Sequence, residues 1–232
     1  MGSVLGRSGT PVPVHKLLGR YSSGGIEYEV RRYAPRVMAE APPSQGENSG
    51  FNTLANYIGV FGNPQNLGAV AMGMTAPVAT RPVAMGMTAP VATRPVDMGM
   101  TSPVATRPVD MGMTSPVATR PTAQRGGSVM GFVLPAQYTR LEDAPVPRPG
   151  LGVTLRLEEE RDVAVYKFSG LVQPGEEQGK LQRLMDALLP EHKARVARVA
   201  GGGPRWELCR YDPPYTIPAL RTNEIWVYLN DT

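Results

Sequence analysis

The chain has 232 residues, of which 41% are hydrophobic and 19% charged, and its formal net charge is +4. It is too apolar to be disordered throughout, and no apolar run reaches the roughly 18 residues of a membrane-spanning helix. The single cysteine, Cys209, excludes an intramolecular disulfide framework and every CxxC-type zinc or redox site. Scattered basic residues argue against a nucleic-acid groove. Residues 1–26 have no apolar core of the kind a secretory signal needs, so we expect a cytoplasmic protein. The same residues carry no acid and faintly resemble a transit peptide, which makes the chloroplast the alternative.

The first half of the chain predicts two strands and a helix. Residues 26–31 alternate apolar and charged side chains, and a short run over 36–41 follows Pro35, which predicts a hairpin. Ser49 is a candidate cap for a helix over 51–58, whose apolar residues follow helical spacing.

A repeat then interrupts the pattern. Residues 72–123 are four tandem copies of a 13-residue unit, which read MGMTAPVATRPVA, MGMTAPVATRPVD, MGMTSPVATRPVD and MGMTSPVATRPTA. Two prolines in each copy exclude a helix, and the block contains no Leu, Ile or aromatic residue with which to build a core. We therefore predict that one copy supplies a strand pairing with 129–134 and that the rest form an insert.

The second half repeats the order of elements. Strands are predicted at 153–157 and 163–168, paired across a charged turn in which Glu158, Glu159 and Glu160 are expected to face water. A helix begins near Glu176 and ends at Pro190, and strands follow at 206–211 and 225–229. The ββαββ order thus appears twice, which predicts an α+β domain with two helices covering a curved, mostly antiparallel sheet.

Short catalytic motifs are missing. The two histidines fit no zinc-binding spacing, and the sequence contains no GxSxG elbow, no P-loop and no strand-led GxGxxG. Zinc chemistry, serine hydrolysis and nucleotide chemistry therefore lack their usual signals.

Whole blocks of the sequence carry a family resemblance. YEVRRYAPRVMAEA (28–41), FNTLANYIGVFGN (51–63), MTAPV from Met74, FVLPAQY (132–138), LEDAPVPRPGLGV (141–153), VAVYKFSG (163–170) and RYDPPYTIPALRTNEIWVYL (210–229) occur in order. Together they resemble the SOUL/haem-binding protein family, and the multiplied MTAPV unit resembles its plant and green-algal branch.

This resemblance implies a distorted antiparallel β-barrel with two helices in a pseudo-twofold ββαββ duplication. The domain would span 26–230, with 1–25 as an N-terminal extension and 72–123 as the insert. It also implies that haem or a related tetrapyrrole binds without a covalent bond, on an apolar surface formed by the first helix and the loop between the last two strands. The implied helix residues are Leu54, Ala55, Ile58, Val60 and Phe61, and the implied loop residues are Tyr211, Pro214, Tyr215 and Ile217. The candidate propionate partners are Arg32, Arg36, Arg210 and Arg221.

The iron ligand is left open. The candidates are His15, His192, Met72 and Met74, and the alternative is that no protein side chain is a fixed ligand. Both histidines fall outside the matched blocks, and a solvated state is expected for each. Cys209 alternates with Trp206 and Leu208, so it is predicted to face away from them, which argues against a thiolate ligand.

Three functions follow as hypotheses. The leading one is a reversible carrier or buffer of haem or porphyrin, with a haem-using or haem-degrading enzyme as a candidate partner and no nucleic-acid partner or membrane span. The second is a haem-dependent oxidoreductase that activates oxygen or peroxide, or an enzyme that acts on the tetrapyrrole. The third is Cu(I) binding by the Met-Gly-Met pairs of the repeat.

Overall fold

The computed structural model describes residues 12–42, 47–82, 128–199, 201–212 and 216–231. Within this part of the chain lie nine strands and three α-helices. The strands are β1 (His15–Ser23), β2 (Ile26–Tyr33), β3 (Arg36–Glu40), β4 (Val78–Pro82), β5 (Ser128–Val133), β6 (Thr154–Glu158), β7 (Arg161–Ser169), β8 (Trp206–Arg210) and β9 (Thr222–Leu229). The helices are α1 (Glu47–Ile58), α2 (Glu176–Ala187) and α3 (Pro190–Ala194).

All nine strands form one antiparallel sheet in the order β1-β2-β7-β9-β8-β4-β5-β3-β6. The predicted α+β class is therefore confirmed. Among the described residues the sheet is not closed, because β1 and β6 are its outer strands. This arrangement does not establish the expected barrel or the internal duplication.

The prediction of two hairpins, one in each half of the chain, is wrong. β2 does not pair with β3, nor β6 with β7. Instead β2 pairs with β7 in the register Tyr33↔Arg161, and β3 pairs with β6 in the register Arg36↔Glu158. Residues 26–40 and 154–169 thus form one long, interrupted ladder. The reason is local, because Pro35 restricts the residue before it to extended conformations, so the chain continues forward where a hairpin would reverse it.

Contacts between distant strands show that the sheet curls. Arg205, just before β8, donates a hydrogen bond from Nη2 to Glu158 Oε2 at 2.6 Å, and Glu158 ends β6. β8 and β6 are four positions apart in the sheet, which in a flat sheet would separate them by roughly 19 Å. We call the concave side the inner face and the side that carries α1 and α2 the outer face.

Strand alternation divides the core between these faces. On the outer face, α1 packs on β3 and β5 through Leu54, Tyr57 and Ile58, while α2 packs on β2 and β9 through Leu181 and Leu184. Along β9, alternate residues then point inward, where they join one inner cluster that includes Tyr33, Val163, Cys209, Trp226 and Tyr228. Burying each such large side chain contributes about 1.5–3 kcal/mol.

Several local predictions are confirmed and one strand was missed. The first copy of the repeat supplies β4, which pairs with β5 in the register Val78↔Phe132, and the copies at 85–123 lie outside the described residues. Pro190 follows the end of α2 and begins α3, where its missing N–H costs no hydrogen bond. No strand was predicted at the position of β1, which pairs with β2 and carries a bulge between Leu17 and Gly19.

Candidate functional site

Three of the predicted site residues on α1 lie in the core. Leu54, Ala55 and Ile58 are at most 2% exposed. Leu54 and Ile58 belong to the cluster between α1 and the sheet, in which Phe51 also contacts Phe132 with ring centroids 5.6 Å apart. Their apolar character is therefore used by packing in this structure.

The other two predicted site residues of this region lie in the connection that follows α1. Val60 and Phe61 are 45% and 63% exposed. The connection folds back on the helix, because Met72 N–H donates to Ile58 O at 2.9 Å. Asn66 is fully buried and fixes the turn, since its amide donates to Tyr57 O and Val70 O at 2.9 Å each. A short, well-bonded loop thus presents apolar side chains to solvent beside the end of α1.

A neighbouring segment extends this exposed apolar region. Leu67 N–H donates to Val146 O at 2.7 Å, and Arg148 N–H donates to Gln65 O at 3.1 Å. We define the apolar patch as the exposed residues Val60, Phe61, Leu67, Val70 and Val146. Arg148, which is also exposed, borders it. Four of these residues were not predicted from the sequence, because residues in irregular loops show no helical or strand periodicity: Leu67, Val70, Val146 and Arg148.

The predicted residues of the loop between β8 and β9 lie in different environments. The Tyr211 hydroxyl donates to Glu224 Oε2 at 2.6 Å, and burial, followed by the charge of Glu224, raises its pKa. Ile217 is 52% exposed, and Arg221 Nε donates to Thr216 O at 2.9 Å. Arg210 reaches Thr80 Oγ1 at 3.4 Å. Pro214 and Tyr215 lie outside the described residues.

The other two candidate arginines occupy different environments. Arg32 forms a two-pronged ion pair with Asp162, with Nε 2.7 Å from Oδ1. Arg36 is buried on the inner face, where its guanidinium carbon lies 5.0 Å from the ring centroid of Tyr33 and 5.5 Å from that of Trp226. Arg32 is thus ion-paired within the sheet, whereas Arg36 contacts aromatic rings there.

The iron-ligand candidates are also scattered. His15 is exposed on β1, whereas His192 is 7% exposed and its Nδ1 lies 2.9 Å from the Tyr28 hydroxyl. The solvated state expected for His192 is therefore wrong, and burial lowers its pKa. Met72 and Met74 pack against the core beneath α1. Cys209 faces the inner cluster while Trp206 and Leu208 face outward, as predicted.

A second feature is a charged cleft of about 510 Å³ at one end of the inner face. Its lining consists of Arg81, Pro82, Arg156, Leu157, Glu158, Glu159, Arg161, Val199, Pro204, Arg205 and Trp206. Glu158 was expected to face water but is 2% exposed, because the curl of the sheet covers it with arginines. Sequence spacing does not reveal this cleft.

Metal sites built from protein ligands are lacking in the described ranges, where no group of three or more His, Cys, Asp or Glu side chains could hold an ion. No helix in the same ranges is both long enough and apolar enough to cross a membrane.

Fold and site together define an α+β protein with a curled antiparallel sheet and an exposed apolar patch beside its first helix. The model of the SOUL haem-binding protein family matches residues 12–228. The chain belongs to this family, and haem or a related tetrapyrrole is its ligand.

Other comparisons give only remote similarity. No curated protein matches the sequence. A solved structure described as a putative bacterial transcription regulation protein from Staphylococcus aureus MU50 has a TM-score of 0.39 and 11% identity, covering 89% of this chain and 100% of its own. The structure of SAV2435 bound to tetraphenylphosphonium has a TM-score of 0.39 and 10% identity, covering 88% and 94%. Scores this low carry no weight for function.

Proposed function

We propose that this protein is a reversible carrier or buffer of haem or a related tetrapyrrole, and that the apolar patch beside α1 is where the macrocycle binds. The observation that carries this proposal is the exposure of five large apolar side chains on one pair of adjoining loops. Exposed apolar surface of this kind commonly marks a binding site. The loop that contains Ile217 is the proposed second wall.

The patch fits the chemistry of a tetrapyrrole. A macrocycle offers apolar faces, which gain free energy on leaving water against side chains such as Phe61 and Leu67. Its carboxylates need cations at the rim, and Arg148 is an exposed guanidinium there. Arg210 and Arg221 are the proposed partners near the second wall. Met72 and Met74 are the iron-ligand candidates next to α1.

The test is a haem titration of the full chain, followed by absorption in the Soret region. We expect saturation at about one equivalent, and Phe61→Glu should weaken affinity by about tenfold or more, because a buried Phe contributes about 1.5–3 kcal/mol. Val14→Glu is the matched control, since Val14 is 77% exposed and precedes β1, far from the patch in the chain. Transfer of haem to apomyoglobin measures the carrier role.

Two outcomes would contradict the proposal. Absence of a saturable Soret change in the parent chain would remove tetrapyrrole binding itself. Equal affinities for Phe61→Glu and Val14→Glu, with unchanged circular dichroism, would place the ligand elsewhere on the molecule.

The finer assignments rest on sequence features. The tandem MTAPV units support the plant and green-algal branch of the family. The cytosol is the proposed compartment, with the plastid as the alternative suggested by residues 1–26, and microscopy of a C-terminally tagged chain distinguishes them.

A further inference from the structure

The cleft of the inner face places arginines at its surface and carboxylates beneath them. The side chains of Arg81, Arg156, Arg161 and Arg205 are between 25% and 34% exposed. The acids that hold them are far less accessible, with Glu40 at 10% and Glu158 at 2%. A molecule entering the cleft therefore meets these guanidinium groups and one exposed carboxylate, that of Glu159.

Negative charge in the cleft is insufficient to balance these arginines. One carboxylate, Glu158, is shared by three of them: Arg156 in direct contact, Arg205 at 2.6 Å and Arg161 at 3.5 Å. Four arginines in the lining face only two acids there, Glu158 and Glu159.

Two further acids, Glu40 and Glu207, stand behind the lining, where they approach Arg81 and Arg156. Burial alone raises the pKa of Glu40, but hydrogen bonds and charges from Arg81 and Arg156 lower it overall. Burial raises the pKa of Glu207. With Arg36 added to the four arginines of the lining, five guanidinium groups face the four carboxyl groups of Glu40, Glu158, Glu159 and Glu207, so positive charge is in excess.

A buried arginine behind the wall is incompletely bonded. Arg36 lies directly opposite Glu158 across β3 and β6, so the two side chains share the inner face. It is 7% exposed, and its Nε and Nη1 have no hydrogen-bond partner within the described residues. Buried donors without partners are costly and rare in native proteins. Arg161, which does line the cleft, likewise has a buried Nε without a hydrogen-bond partner within the described residues. Together the two arginines point to an acceptor that enters from outside the chain.

The lining of the cleft also contains apolar side chains. They are Pro82, Leu157, Val199, Pro204 and Trp206, of which Leu157 and Val199 are each 38% exposed. Guanidinium groups and apolar side chains in one cleft suit an anion with an apolar body.

We propose that this cleft is a binding site for a small amphipathic oxyanion, a carboxylate or a phosphate, separate from the tetrapyrrole patch. The oxygens pair with Arg161, Arg205 and Arg81, whose guanidinium forks match both groups. The apolar part of the ligand lies against Leu157 and Val199.

The test measures binding of citrate, inorganic phosphate and phenyl phosphate to the full chain, by calorimetry at constant ionic strength set with NaCl. We expect saturable binding of at least one of them, and tighter binding of phenyl phosphate than of phosphate. Binding of citrate alone assigns a carboxylate ligand, and binding of the two phosphates alone assigns a phosphate ligand. Absence of saturable binding by all three overturns the proposal.

Arg161→Gln is the informative variant, because Glu158 keeps Arg156 and Arg205 as partners after the change. It should weaken anion binding by about tenfold, the usual effect of losing one charge-assisted hydrogen bond. Arg183→Gln on α2 removes the same charge from an exposed site and is the matched control. Equal affinities in the two variants overturn the proposal.

Haem titration of the same variants tests the anion site independently of the proposed haem-binding patch. Arg161→Gln should keep haem affinity, and Phe61→Glu should keep anion affinity. A chain that binds anions but no haem refutes only the carrier proposal, whereas one that binds haem but no anion refutes only the cleft.

Discussion

Deleting residues 85–110 removes the second and third copies of the repeat and joins Ala84 to Met111, leaving β4 and β5 intact. Because β4 comes from the first copy, every backbone pair between these two strands is kept. If the remaining copies serve only as a connection, the deletion should stabilise the protein slightly.

The size of the effect follows from the length of the connection. Residues 83–127 amount to 45 residues between the two strands, and removing 26 leaves 19. Loop closure scales as (3/2)RT ln n, so the ratio of 45 to 19 corresponds to about 0.8 kcal/mol. For a chain of this size we expect a rise in Tm of about 2 °C.

The assay is thermal and urea unfolding followed by circular dichroism, with haem titration of the same samples. A matched control replaces residues 85–110 by a Gly/Ser linker of equal length and should leave Tm unchanged. A fall in Tm of more than about 5 °C in both variants would refute the reasoning, because it would show that the deleted copies pack against the domain.

Two further predictions concern buried titratable groups. Burial lowers the pKa of His192 below its ordinary 6.5, so the unfolded chain binds more protons, and the stability present above pH 6.5 is lost as pH falls. Urea unfolding at pH 7 and pH 5 should show a smaller loss for His192→Gln than for His15→Gln, and identical losses would count against this. Glu158→Gln should cost about 3 kcal/mol or more, because the carboxylate holds three arginines. Glu207→Gln should change stability by less than about 1 kcal/mol, since Glu207 Oε2 has no hydrogen-bond partner among the described residues; equal costs for the two glutamates would contradict the assignment.

Periodicity was sufficient to locate most elements and to pair β4 with β5, but it paired β2, β3, β6 and β7 wrongly. The alternation in residues 26–31 predicts β2 correctly because strand geometry is local. Pairing is decided at residues 34–35 and 159–160, where both segments continue forward. Pro35 keeps residue 34 extended, but proline is also common in turns, so the alternation on either side of it does not show which of the two applies.

For the candidate site, the sequence could not predict which residues are buried and which are exposed. Leu54 and Ile58 follow helical spacing whether they fill a core or line a ligand wall, so only the position of α1 on the sheet decides between these roles. Glu158 belongs to a run of three glutamates, and such a run predicts that each of their side chains is exposed to solvent. Its burial depends on Arg205 from a distant strand, which sequence spacing does not reveal.

The long ladder of β2 and β3 with β7 and β6 also determines when the chain can fold during synthesis. Arg36 and its partner Glu158 are 122 positions apart, so β3 leaves the ribosome well before its neighbour in the sheet exists. Structures dominated by such distant pairings fold slowly. All four copies of the repeat lie inside this interval, and at roughly 5–20 residues per second each copy delays completion of the ladder by about 1–3 s. Each duplication of the unit therefore prolongs the time for which the nascent β3 exposes unpaired backbone groups.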